Sequence, residues 1–348
     1  GTATPQKTLE VAGPMRITDG LSNVCDLSMG FVVGDYDTGT KIVASDPGAT
    51  DYFGQTISLS ADGTKMVVGA EGDEGTYNDL GAAYIYTYNG SSWSQQAKIQ
   101  QSDTAAANRY NRFSAGGVAM SGDGTRIIVG VPSDDTGAAN RGAAYIFVYS
   151  SGSWSQEAKI QASDLQATDY FGYSVSMNSD GTKVLVGAYK EDTGGTDTGA
   201  AYIFAYSSGS WSQEAKIQAS DAQVSDEFGI AVSMSGDGTK VLVGARYEDP
   251  APTASGSNAG AAYIFALSGG SWSQEVKIQA SDPEENDYFG FSVSMSSDGT
   301  KVLVGAYGEG TGASDAGSAY IFDYTPNQIF DSATQVFTAT GTGIVSGS

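Results

Sequence analysis

One block of sequence recurs five times in this chain, and that recurrence constrains the fold more than any single residue does. Each copy opens on a Phe followed by a small residue: Phe53-Gly54, Phe113-Ser114, Phe171-Gly172, Phe228-Gly229 and Phe289-Gly290, spaced 60, 58, 57 and 61 residues apart. Each then carries a D-G-T turn, a V-G-A-like run and an A-A-Y-I-F-like run. Four copies end in W-S-Q-x-x-K-I-Q. A period this long, assembled only from strand-like pieces, is the signature of a radial or stacked β-repeat.

The third copy shows the pieces most clearly. Phe171 to Met177 alternates apolar with small residues, which predicts a first strand. Asp180-Gly181-Thr182 is a tight turn, and Lys183 to Ala188 is apolar on both faces, as a central strand should be. Gly199 to Tyr206 and Ser210 to about Ala219 give two more strands. Four antiparallel strands per copy make a propeller blade. The fold expected is all-β: a five-bladed propeller closed by an N-terminal strand. That strand is Lys41-Ile42-Val43-Ala44-Ser45-Asp46, which matches the K-I-Q-A-S-D end of strand 4 that the fifth copy lacks. The alternative is six blades, with residues 29–46 giving two outer strands and residues 329–345 two inner ones. The domains expected are 1–28, an N-terminal fibre-like segment; 29–328, the propeller; and 329–348, a C-terminal strand or linker. A start at Gly1 with neither Met nor a signal-like segment suggests a part of something longer.

Composition narrows the chemistry. The net charge of −23 argues against nucleic acid and against an anionic membrane surface. No stretch is long and apolar enough to insert in a membrane. There is no His, which removes Ser-His, Cys-His and His-metal chemistry; Cys25 stands alone and reads as a small apolar residue.

The repeat resembles the FG-GAP family, the unit of integrin α-subunit propellers, in the variant with K-[IL]-x-A-S-D, F-G-x-S-V, V-G-A, G-A-A-Y-I-F and S-W-S-Q segments. The resemblance covers about residues 41–325 and implies a β-propeller, usually with extracellular adhesion or binding. One departure matters. Integrin-type repeats often carry a D-x-D-x-D-G calcium loop, whereas the loops here, such as Ser60-Ala61-Asp62-Gly63, hold one carboxylate each. Calcium takes six to eight oxygens, so these Asp residues read as turn formers. Gly1 to Gly13 is similar to G-T-x-x-P-x-x-x-L-x-V-x-G segments of phage-type tail fibres, and Thr338 to Ser348 has the same small-residue, Thr/Gly-rich character. That similarity implies a fibre displayed on a cell or virion surface, outside the cell, and a homotrimer.

Strand order places the monotonous D-G-T and S-S-G-S turns on one face and the variable 2→3 and 4→1 loops on the other. The variable face is acidic. It could be a carboxylate ring for calcium or for a cationic or hydroxyl-rich ligand, with Asp164, Asp169, Asp192 and Asp197 as candidate ligands, or simply solvated loops with Asp caps. Apart from that calcium no cofactor is expected. Copy two breaks the pattern with Arg109, Arg112 and Arg141, which would hold an anionic or carbohydrate ligand or else pair with neighbouring acids. Copy four carries the longest 2→3 loop, Arg246 to Asn258, with Asp249 in it. The repeated Trp93, Trp154, Trp211 and Trp272 read as packing between blades rather than as sugar platforms. The leading expectation is a non-enzymatic adhesion, receptor-binding or glycan-binding module of a fibrous surface protein. A purely structural spacer is the second reading and a glycan hydrolase the third, since two carboxylates suffice for that chemistry.

Overall fold

The computed structural model describes residues 39–73, 80–102, 113–249, 258–310 and 316–324, and the backbone of short strands at 16–18, 24–26 and 336–337. The chain divides into two compact units, Gly1–Val43 and Ala44–Ser348. In the first, β1 (Arg16–Thr18) and β2 (Val24–Asp26) form an antiparallel ribbon. The rest concerns the second unit.

Blade 1 holds β3 (Ile57–Leu59), β4 (Lys65–Ala70), β5 (Ala82–Tyr88) and β6 (Trp93–Ile99). Blade 2 holds β7 (Val118–Met120), β8 (Arg126–Val131), β9 (Ala143–Ser150) and β10 (Ser153–Ile160). Blade 3 holds β11 (Ser174–Met177), β12 (Lys183–Ala188), β13 (Ala200–Ser207) and β14 (Ser210–Ile217). Blade 4 holds β15 (Phe228–Met234), β16 (Lys240–Ala245), β17 (Ala261–Ser268) and β18 (Ser271–Ile278). Blade 5 holds β19 (Phe289–Met295), β20 (Lys301–Ala306) and β21 (Ser318–Asp323). Within each blade, successive strands pair antiparallel in chain order. The chain is an all-β propeller of five blades. β22 (Val336–Phe337) adds in parallel to the outer edge of β18, so it extends blade 4 and starts no sixth sheet.

Local chemistry explains the hairpins. In blade 1 the Asp62 carboxylate accepts the Thr64 amide (2.9 Å) and the Ser60 hydroxyl (2.6 Å), while Gly63 supplies φ +67°. The Ser60 hydroxyl, then the Thr64 amide and hydroxyl, hold Asp62 down at about 2. Asp123, Asp180, Asp237 and Asp298 take the same post in the other blades. They are turn formers, as the single carboxylate per loop predicts.

The cores lie between blades, not within them. One such core joins Leu185, Ala201 and Ile203 of blade 3 to Phe228, Val241, Val243 and Tyr263 of blade 4. The Phe that opens each copy, buried in copies two to five, packs edge-on against a strand-3 Tyr; Phe228 and Tyr263 lie 5.5 Å apart at 62°. The tryptophans also bind blade to blade: Trp211 Nε1 donates to Glu157 (2.9 Å) and Trp272 Nε1 to Glu214 (2.7 Å). Their structural reading holds.

Neighbouring blades come closest at a glycine. Gly199 bridges Phe228 of the next blade at φ +80°, and a Cβ there would lie 2.1 Å from the Phe228 carbonyl oxygen. Gly199→Ala should therefore cost about 2 kcal/mol, read as a lower urea midpoint with an unchanged m-value.

Among the described residues, side chains at both ends of the blade array are exposed. Leu59 of blade 1 is 59% exposed, whereas its counterpart Met120 is 6% exposed. Ile321 of blade 5 is 61% exposed, whereas its counterpart Ile264 is fully buried. Lys41–Val43 forms no strand, and β21 carries no fourth strand among the described residues. Complete outer strands such as β14 pair over seven positions from a Trp-bearing start, which the N-terminal segment lacks. Ala44–Asp46 nevertheless behaves as the end of an outer strand. Ala44 is buried, and Asp46 receives Tyr84 and Lys98 of blade 1 as Asp221 receives Tyr263 and Lys277 of blade 4.

Candidate functional site

The acidic loops are largely consumed by the fold. Lys98 pairs with Asp46 (2.7 Å) and Asp73 (2.8 Å), and Lys216 with Asp164 (2.8 Å) and Glu191 (2.9 Å). Lys277 pairs with Asp221 (2.7 Å) and with Glu248, and Lys159 with Asp134 (2.9 Å). In the first three, strand 4 of one blade joins an acid of its own 2→3 loop to an acid ending the preceding outer strand. Burial raises Asp134, but Lys159 and Thr136 outweigh it and hold the carboxyl below its ordinary value.

The candidate calcium ligands do not converge. Asp164 is held by Lys216, and Asp192 accepts the Asp197 amide (2.8 Å). Asp197 faces Lys190 at 3.7 Å. Asp169 is buried and accepts the Gln166 amide (2.6 Å). Among the described residues no group of three or more carboxylates is placed to hold a metal ion. Of the two readings of these loops, the geometry favours the second: local amides and lysines satisfy these side chains first.

The other candidates are also dispersed. Arg109 and Arg112 lie outside the described residues. Arg141 ends the 2→3 loop of blade 2, its carbonyl accepting the Phe171 amide (3.1 Å) and its Nε buried with no acceptor. Asp249, two blades away, staples its own loop by accepting the Asn258 amide (2.6 Å), as Asp135 does with Asn140 (2.7 Å). Asp249 is a loop-closing residue, and Asp249→Ala should leave ligand binding unchanged while costing about 1 kcal/mol, checked by paired binding and melting curves.

A different set of side chains does gather. The F-G pair is the centre of a turn: the Tyr173 amide donates to the Tyr170 carbonyl (3.1 Å), with Gly172 at φ +91°. The turn places the residue before Phe beside the residue after Gly. A further bond, from the Gly172 amide to the Gly187 carbonyl (3.0 Å), brings up the residue after V-G-A. In blades 3 to 5 this brings three side chains to one spot.

Blade 3 supplies Tyr170, Tyr173 and Tyr189. Tyr189 stacks on Tyr170 at 5.6 Å and leans on Tyr173 at 4.4 Å. Blade 5 supplies Tyr288, Phe291 and Tyr307, with Tyr307 stacked on Tyr288 at 4.8 Å and edge-on to Phe291 at 4.6 Å. Between them, blade 4 supplies Glu227 and Arg246, paired at 2.7 Å. The guanidinium lies 4.5 Å above Tyr247 and 5.8 Å above Phe291. Burial would lower Arg246, but Glu227 overrides it and raises its pKa. Tyr173, Phe291 and Tyr307 remain 37%, 41% and 49% exposed.

The tract is rigidly mounted. Tyr170, Glu227 and Tyr288 sit in the left-handed region at φ 55°, 55° and 56°, where bulky residues are rare. The 2→3 loop of the preceding blade holds each one: their amides donate to Asn140, Asp197 and Asn258 carbonyls, each at 3.1 Å. Loop length and charge did not point to these positions. The signal lay in comparing copies: before Phe stand Tyr52, Arg112, Tyr170, Glu227 and Tyr288, and after V-G-A or its equivalent Glu71, Pro132, Tyr189, Arg246 and Tyr307.

The FG-GAP repeat family matches residues 37–86, 93–147, 154–204, 211–265 and 272–322. No curated protein matches the sequence significantly. Among solved structures, a putative TolB from Agrobacterium tumefaciens is 15% identical, with 78% of this chain and 77% of that one covered, at TM-score 0.43. Kuenenia stuttgartiensis hydrazine synthase is 13% identical, with 82% and 80% covered, at TM-score 0.44. TolB from Acinetobacter baumannii is 13% identical, with 76% and 51% covered, at TM-score 0.40.

Proposed function

This chain belongs to the FG-GAP repeat family, and we propose that it is a non-enzymatic recognition module whose ligand, a surface glycan or a protein receptor, meets the variable face. One observation carries the reading. Blades that are otherwise near copies differ at three positions, and in blades 3 to 5 those positions form one continuous, partly exposed tract. A scaffold with no ligand has no need to concentrate its irregularities there. Net charge of −23 keeps such modules apart in solution and disfavours polyanionic partners. The fibre-like flanks favour display on a cell or virion surface as part of a longer, trimeric fibre.

The structural-spacer reading makes the opposite prediction for the tract, which makes it testable. Tyr189→Ala with Tyr307→Ala should reduce adhesion of the immobilised chain to arrayed glycans and extracellular proteins by tenfold or more. A control at Tyr52, 60% exposed in blade 1, should change nothing. Equal adhesion of all three proteins would establish the spacer instead.

A further inference from the structure

We infer that the tract across blades 3 to 5 binds a neutral oligosaccharide, with pyranose rings stacked on the aromatic groups of blades 3 and 5 and hydroxyls met by Arg246 between them. The inference rests on the recognition reading above and names its ligand class.

Ring chemistry comes first. A pyranose presents a face of C–H groups bordered by hydroxyls, and it packs on an aromatic face while its edge stays hydrated. Tyr173, beside Tyr189 at 4.4 Å, and Tyr307 with Phe291, at 4.6 Å, are rings of this type, part of each group exposed and each ring held against a neighbour. Bracing matters, because a ring already held against a neighbour loses little freedom on binding. Two ring groups one blade apart suit a chain of sugars better than a single one.

Charge excludes the acidic sugars. Arg246 is neutralised by Glu227 at 2.7 Å, and Lys190 faces Asp197 at 3.7 Å. The tract therefore offers no uncompensated cation to a carboxylate or sulfate, and the whole chain repels one. A guanidinium held by the buried Glu227 carboxylate still presents its other donors in fixed directions, which suits hydroxyl groups. A protein ligand would want an apolar centre, but the aliphatic side chain in the tract, Ile230, is only 4% exposed.

The test uses the full chain on an array carrying neutral hexose polymers, sialylated glycans, sulfated glycans and extracellular proteins. The expected result is binding to a neutral class, reduced about tenfold by Tyr189→Ala or Tyr307→Ala and more by both, with unchanged melting temperature. Arg246→Ala should weaken binding too, and 1 M NaCl should barely affect it, since stacking is not screened. Hits confined to sialylated or sulfated glycans overturn the neutral class. A hit on proteins alone that the tract variants abolish overturns the sugar and leaves the recognition module standing. Binding that the variants leave intact, or no binding on any arm, overturns both.

Discussion

Replacing Lys277 by Met should destabilise the propeller by about 3 kcal/mol at neutral pH, the largest single-site effect outside the apolar cores. Lys277 is held against Asp221 and against Glu248, whose side chain is 1% exposed. Removing the ammonium leaves that carboxylate buried beside a second acid, with the Gln279 side-chain amide still donating to it at 3.2 Å. Burial already raises Glu248 against the pull of Lys277, so the variant should raise it further. The defect should therefore narrow as pH falls and Glu248 is more readily protonated, and widen as pH rises. Lys183→Met removes a more open pair, Lys183–Glu214 at 3.0 Å, and should cost about 1 kcal/mol or less at either pH. Urea unfolding of both variants at pH 5 and 8 distinguishes a buried network from surface decoration. Equal losses for the two would sink the network account.

The unmodified chain should become more stable as pH falls from 8 to 5. Asp169 is pushed up to about 6, first by burial and then by Glu191 and Asp192, against the Gln166 amide. Asp226 is pushed up to about 7, first by burial and then by Glu248 and Asp221, against the Gln223 amide and Lys277. Both start from an unfolded value of 3.8. Between 3.8 and these raised values the native state holds protons that the unfolded chain has released, so stability falls as pH rises through that window. Taken at about half the ideal value, because these acids are coupled to their neighbours, the two contribute about 3 kcal/mol. The opposite sign applies to the lysine-paired acids. Asp134 and Asp164 are lowered, so their contribution is present above the unfolded value of 3.8 and is lost as pH falls through their native values. Stability should peak between about pH 4 and 6. Asp226→Asn keeps an acceptor for Gln223 and should flatten the alkaline limb. A variant that titrates like the parent would remove Asp226 from the explanation.

The architecture was legible because repetition announces itself. Five copies of F-G, D-G-T, V-G-A and A-A-Y-I-F specify strands and turns through local chemistry: an Asp that caps its own turn, a glycine that takes positive φ, a strand apolar on both faces. Those need only neighbours a few residues away. The repeated Trp residues were legible for the same reason, since a side chain present in successive copies serves the join between copies. What the chain does at its ends was not legible. A lysine-bearing K-I-V-A-S-D segment matches an outer strand, yet Lys41–Val43 forms none, while Leu59 and Ile321 stay open. Strand pairing depends on ladder length and on the partner edge, which no short motif encodes.

Site residues divide along the same line. The sequence by itself determined that carboxylates and arginines would crowd one face, because strand order alone assigns loops to faces. Only the tertiary structure decided which of them are spent and which are offered. Asp164, Asp192 and Asp249 are satisfied by a lysine or an amide close by. Tyr189, Arg246 and Tyr307 follow one another at intervals of 57 and 61 residues and come near only because blades stack side by side. Sequence carries the identity of each side chain. Contacts between blades, fixed by close packing at Gly199 and its equivalents, decide what those side chains face.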